Sequence, residues 1–180
     1  MNSNNIYYKL ISEFYKDKIT ERSKQPLMNH IDEGLLILDE IGASEYAQEA
    51  YCIHPILQSD DSVLYCIGDH SPFVINISPN PIIVILAMEY RHVANAYLSQ
   101  HCKSEDDVFN LSVMRDVNDM LIADKIQNRK DFELYHIATH ENSATLQLYF
   151  SNWLRKLGIS EEGYQSMKRL LTGPCEQTNG

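Results

Sequence analysis

Apolar residues recur every three to four positions along most of this chain, a spacing that suits helices and almost nothing else. Residues 5–18 place Ile6, Leu10 and Phe14, with the pair Tyr7 and Ile11, on one broad face. Pro26 is suited to opening a second helix, through Leu27, Ile31, Leu35, Leu38 and Ile41, with Gly42 near its end. Ser44 caps a third, through Ala47, Ala50, Tyr51 and His54, which Pro55 is expected to interrupt. Residues 58–80 carry the breakers Gly68, Pro72, Pro79 and Asn80, and are long enough for a lid or substrate loop. Pro81 begins the next helix, through Val84, Ala87, Met88, Arg91, Val93 and Leu98. A polar connection at 103–110 leads to a long helix from Ser112 to Tyr135, and helices at 142–157 and 160–172 follow, Gly158 ending the first of these. The pattern predicts an all-α fold, a single-domain bundle of about six to eight helices over residues 1–172, with 173–180 as a flexible tail.

At 180 residues and 44% apolar content, the chain is long enough for one full hydrophobic core. A net charge of −10 argues against general nucleic-acid binding, which calls for a basic stripe. It leaves room for a small anionic ligand, because a metal and a few arginines can create a local positive site. Cys52, Cys66, Cys102 and Cys175 form no closely spaced pair and read as free thiols. The polar N-terminus lacks a signal peptide's apolar centre, and the longest apolar run, Ile82 to Met88, is far too short to span a bilayer. A reduced cytoplasmic setting without membrane insertion is expected.

Three polar residues stand out against the apolar faces. His30 lies among Leu27, Ile31 and Leu35, and His54 follows Tyr51, Cys52 and Ile53. Taken singly, each reads as an ordinary core histidine. Asp124 differs, because an aspartate within Met120, Leu121, Ile122, Ala123 and Ile126 has no reason to face a core unless it is paired. Two imidazoles and a carboxylate could satisfy one another around Mn²⁺, Fe²⁺ or Zn²⁺.

Around these residues the chain resembles the HD-domain superfamily, nearest the RelA/SpoT-type alarmone hydrolase branch. Arg22, Ser23, Pro26 and His30 match the opening motif of that branch, and Ala123, Asp124, Lys125 and Asn128 match its late motif, in the same order and at similar spacing over roughly residues 5–135. The resemblance implies an HD-like bundle in which His30, His54 and Asp124 hold a divalent metal (Mn, Fe or Zn) and Arg22 contacts a purine nucleotide. It also exposes departures. Pro55 stands where the family has the aspartate of its His-Asp pair, and Gln58 and Ser59 align with an acidic pair that supports water activation. Lys24 and Gln25 replace an expected glycine. Asp60 and Asp61 lie just beyond, so Gln58, Asp60 and Asp61 are the candidates for orienting a nucleophilic water. A His, His, Asp set leaves three positions open on an octahedral ion, or one on tetrahedral zinc. Losing one carboxylate favours a lower pKa for bound water while weakening affinity for the ion.

Other residues carry weaker signals. Arg91 and Asn95 share a helix face and could grip a phosphate or ribose, with Tyr90 available for stacking; the alternative is a solvated helix edge. Asn128, four residues after Asp124, could support the ligand or the substrate. Arg115 and Asp119 read as a structural pair, and His136 and His140 as an exposed polar face. Trp153, with Tyr149, Phe150 and Leu157, reads as packing. The leading expectation is a metal-dependent phosphohydrolase acting on a nucleotide or related phosphorylated small molecule. The alternatives are a catalytically degenerate HD fold that binds a nucleotide or a protein as a regulatory module, and an interaction domain whose histidines are plain core residues.

Overall fold

Short polar caps start most of the helices. The computed structural model describes residues 5–20, 23–58 and 80–173. Within them the chain is all-α, with seven α-helices and no named strand; Ile19 and Pro26 form one isolated antiparallel bridge. The expected lid at 58–80 lies almost wholly outside the described residues, as do Arg22, Asp60, Asp61, Cys66 and the tail from 174 onward.

Helix α1 (Ile6–Tyr15) starts at Asn5, whose side chain accepts from the amides of Tyr7 and Tyr8. Helix α2 (Met28–Glu40) follows the Ile19–Pro26 bridge and ends at Ile41; Gly42 then takes a φ of 65°, which lets the Ala43 amide reach back to the Leu38 carbonyl. Helix α3 (Glu45–Leu57) is capped by Ser44 through the Ala47 amide. It does not stop at Pro55, contrary to the sequence expectation. The proline removes only one helical hydrogen bond, and the carbonyl so released finds another donor nearby.

Helix α4 (Pro81–Ala96) has Asn80 as cap and Pro81 in its first turn, and gives way to a single 3₁₀ turn at Ser99–His101. Helix α5 (Arg115–Asp131) starts three residues later than its periodicity suggested. Ser112 is held outside it by Asn118, which bonds both its amide and its carbonyl, and by Glu89, which accepts from its hydroxyl. The helix continues as a wider π turn at Phe132–His136 instead of running straight to Tyr135. Helices α6 (Ser143–Lys156) and α7 (Glu161–Thr172) complete the bundle. No helix among the described residues is long and apolar enough to cross a membrane.

The core sits where α3 packs on α4 and α1, and where α5 packs on α2, α4 and α6. Ile31, Ile37, Leu38, Ile53, Ile83, Met120 and Leu121 are wholly enclosed there. Tyr97, Phe109, Tyr149 and Trp153 form a second aromatic group, as the sequence suggested for Trp153, with Tyr97 and Phe109 stacked at 4.1 Å. Arg115 and Asp119 pair at 3.5 Å.

Helix α7 packs Tyr164, Met167 and Leu171 on the core and is also tied to the bundle by charge. Arg129 bonds Glu161 through both terminal nitrogens and Glu133 through Nε, while Lys168 and Tyr164 each donate to the other Glu133 oxygen at 2.7 Å. Burial alone would raise the Glu133 pKa, but Lys168, Tyr164 and Arg129 outweigh it and hold it below the ordinary value. Arg129, against a smaller effect of burial, does the same to Glu161. A depressed carboxylate stabilises the fold fully above its unfolded pKa, about 4.3 for glutamate, and that contribution is lost as pH falls through the folded pKa. The urea midpoint should therefore fall steadily below about pH 4.5, and less steeply in Glu133→Gln. Equal slopes in the two proteins would show that the cluster carries no such linkage.

Candidate metal centre

Helices α2, α3 and α5 converge on one point. Each contributes one side chain, His30, His54 and Asp124 respectively, and a ligand atom from each lies within 4.8 Å of the others. His30 Nε2 is 3.2 Å from His54 Nε2 and 3.6 Å from Asp124 Oδ1. Two metal–nitrogen bonds of about 2.0–2.1 Å meeting at about 100° would span about 3.2 Å. The spacing therefore fits two imidazoles on one ion.

The surroundings determine which nitrogen each ring offers. His54 Nδ1 donates to the Tyr51 carbonyl at 2.6 Å. His30 Nδ1 lies 2.8 Å from Gln127 Oε1. The Gln127 amide cannot be turned the other way, because its nitrogen donates to Glu33 and Asp131 at 3.1 and 2.8 Å. Lys130 holds Glu33 in place with contacts of 2.6 Å to both carboxylate oxygens. Both rings thus commit an Nδ1–H to a fixed oxygen and turn Nε2 toward each other and toward Asp124. Such a pair calls for a shared electrophile, a proton or a metal ion, and ligating histidines commonly have their other nitrogen anchored in this way.

Burial and neighbouring charge oppose one another at Asp124 and Lys125, whereas burial dominates at His54. Burial first, and then the neighbouring His30, push His54 down to about 3 despite the pull of Asp124, so the ring is neutral near pH 7. Burial alone would raise Asp124, but Lys125 and both imidazoles outweigh it and hold the carboxyl at about 2. Lys125 Nζ sits 2.8 Å from Asp124 Oδ2, and Asn128 donates to Oδ1 at 2.8 Å, the supporting role its four-residue spacing suggested. Burial works against the Lys125 charge, yet Asp124 more than offsets this and keeps the ammonium protonated. That ammonium also lies over the Trp153 and Tyr149 rings, at 5.0 and 5.6 Å.

Tyr90 closes the far side. Its ring meets His54 edge-on at 4.6 Å, and its fully enclosed hydroxyl lies near Asp124 without a well-formed hydrogen bond among the described residues. Burial, followed by the Asp124 charge, raises its pKa well above the ordinary value, so it remains a donor. The donor set is thus two imidazoles, one carboxylate and a nearby phenol, a combination able to hold a divalent ion.

A cleft of about 520 Å³ opens onto this centre, with His30 and Asp124 in its lining and His54 enclosed behind them. Gln58 and Pro55 of the α3 end, Asn128 of α5, and His136 and His140 at and beyond the π turn also line it. The two latter histidines are half-buried cleft residues, where the sequence suggested an exposed face. Arg91 and Asn95 are not in the lining. Helix α4 packs Tyr90 and Ala94 inward, which rotates Arg91 and Asn95 about 100° away and leaves Asn95 exposed; Ala94 and Leu98 meet the cleft instead. Of the residues the sequence singled out, His30, His54, Asp124, Asn128 and Gln58 come together; Arg22, Asp60 and Asp61 lie outside the described residues.

Gln127 was not among the sequence candidates, although it lies three residues after Asp124 and so shares its helix face. The Tyr51 carbonyl was also missed, although a proline four residues downstream marks it. No family model, no curated protein and no solved structure matches the chain. The chemistry of this centre is therefore the guide to its role.

Proposed function

We propose that the protein is a divalent-metal-dependent phosphohydrolase of the HD type, acting on a nucleotide or another phosphorylated small molecule. The observation that carries the reading is the orientation of the two imidazoles, both with Nδ1 hydrogens committed elsewhere and Nε2 turned toward Asp124. His30, His54 and Asp124 would hold the ion. A divalent ion there supplies a Lewis acid for a phosphoryl oxygen and lowers the pKa of a coordinated water. Gln127 orients His30, Asn128 and Lys125 orient and neutralise Asp124, and Gln58, which lines the cleft, is the described residue we assign to aligning a nucleophile. His136 and His140, which line the same cleft, are suited to the anionic end of a substrate. Arg22 keeps the nucleotide-contact role that the resemblance implies.

A second reading is favoured by two observations. Lys125 already pairs with one oxygen of Asp124, and Pro55 offers no carboxylate. Both weaken the hold on a cation, as expected of an HD-like module that binds a nucleotide or protein without turnover.

Elemental analysis of protein purified without chelator or affinity tag distinguishes these. Wild type should carry near-stoichiometric Mn, Fe or Zn, and His30→Gln should carry little. His30 is the better first target because its side chain is 19% exposed and its loss strands no buried charge. Metal at 100 times its Kd should stabilise wild type by about 2.7 kcal/mol, roughly 5–10 °C in Tm, and should leave His30→Gln unchanged. Metal with hydrolysis of a phosphoester panel supports the enzyme; metal binding without turnover favours the binding module. No metal even after reconstitution would remove the phosphohydrolase reading.

A further inference from the structure

An α-helix bonds each amide N–H to the carbonyl four residues earlier, so residue 55 would ordinarily take the Tyr51 carbonyl. Pro55 has no N–H, and its ring crowds that same carbonyl. Helix α3 nevertheless continues to Leu57, and the Tyr51 carbonyl accepts from His54 Nδ1 at 2.6 Å. Tyr51 is 0% and His54 1% exposed, so water is poorly placed to serve either group. An unpaired buried carbonyl is costly, and the imidazole is the donor at hand.

We propose that Pro55 is a positioning residue for the metal centre. By withholding an amide from the Tyr51 carbonyl, it reserves that carbonyl for His54 Nδ1–H and so presents His54 Nε2 to His30 and Asp124. The purpose of this device rests on the metal reading above; its geometry does not. Tyr51 and Tyr90, each with its ring centroid 4.6 Å from that of His54, define the plane of the imidazole. Ring packing alone does not choose between two orientations related by a half-turn, because both fill nearly the same space. The hydrogen bond does choose. At the position where the HD resemblance has a metal-binding aspartate, this chain keeps a residue that aims a neighbouring ligand. An alanine at 55 would restore the helical amide, let it compete for the Tyr51 carbonyl, and free the ring to turn.

The test reads the tautomer directly, in metal-free protein labelled with ¹⁵N-histidine, with the His54 signals assigned by their loss in His54→Gln. Long-range ¹H–¹⁵N correlations should show wild-type His54 protonated on Nδ1. Pro55→Ala should lose that preference, bind Zn²⁺ about 10–100-fold more weakly, and melt no lower than wild type, since it regains a helical bond. A simple structural lesion would instead lower Tm and leave the tautomer alone. The proposal is overturned if wild-type His54 carries its proton on Nε2, or if Pro55→Ala keeps the Nδ1 signature, whatever its Zn²⁺ affinity. If Pro55→Ala does not fold, Pro55→Gly restores the same amide, and the wild-type spectrum can still refute the idea. If neither protein binds metal while the tautomer still changes, the metal reading falls and the orienting role of Pro55 stands.

Discussion

Asp124→Ala is expected to lose about 3–5 kcal/mol of stability, far more than the loss of an empty ligand would explain. Asp124 and Lys125 are 4% and 6% exposed, and their charges meet at 2.8 Å. Removing the carboxylate leaves the ammonium buried against Tyr149 and Trp153 without its counter-ion. Breaking one half of a buried pair costs more than removing both, because the survivor keeps its desolvation penalty. Metal loss in Asp124→Ala is therefore ambiguous, since an unstable protein also releases metal. The double replacement Asp124→Leu with Lys125→Met separates the two roles. It should recover most of the stability in urea unfolding and still bind no metal. If Asp124→Ala unfolded within 1 kcal/mol of wild type, about the worth of an exposed ion pair, the buried-pair account would be wrong.

Gly34→Ala is expected to cost about 1–3 kcal/mol and to abolish metal binding, although residue 34 touches no ligand. Helices α2 and α3 approach so closely there that a Cβ would fall on the Tyr51 ring, against its Cε1, Cζ and hydroxyl. The ring is fully buried and cannot swing aside. Tyr51 contributes to the centre twice: its carbonyl anchors His54, and its hydroxyl donates to the His30 carbonyl at 3.3 Å. Displacing it disturbs both imidazoles. Combining Gly34→Ala with Tyr51→Leu should relieve the clash and restore part of the stability, but not Zn²⁺ binding. A Gly34→Ala protein with wild-type Tm and Zn²⁺ affinity would show that the helices can separate freely at this point.

The helices were legible because their signals are local. Ile31, Leu35 and Leu38 repeat at helical spacing, Ser44 and Asn80 cap the helices they precede, and Gly42 and Gly158 turn the chain with positive φ. Asp124 was legible for a related reason, since a carboxylate on an apolar face needs a partner, while His30 and His54 joined it through the HD resemblance. Spacing within one helix showed that Arg91 and Asn95 share a face, but not where that face points. Its direction depends on how Tyr90 and Ala94 seat against the core. The effect of Pro55 was hidden in a similar way. The rule that proline ends helices counts only backbone donors, and here a side chain supplies the missing one.

The sequence by itself determined an all-helical chain, the order of its helices, and an aspartate in need of a partner, because period, caps and buried polarity are properties of neighbouring residues; the HD resemblance added His30 and His54. Only the tertiary structure decided that those side chains meet, which nitrogen each imidazole presents, and that Lys125 shares Asp124. These depend on partners such as Gln127 for His30, 97 positions away, and Glu33 for Gln127, 94 positions away. Such contacts form only when α2, α3 and α5 pack together, and no local pattern along the chain encodes the angle at which they do so.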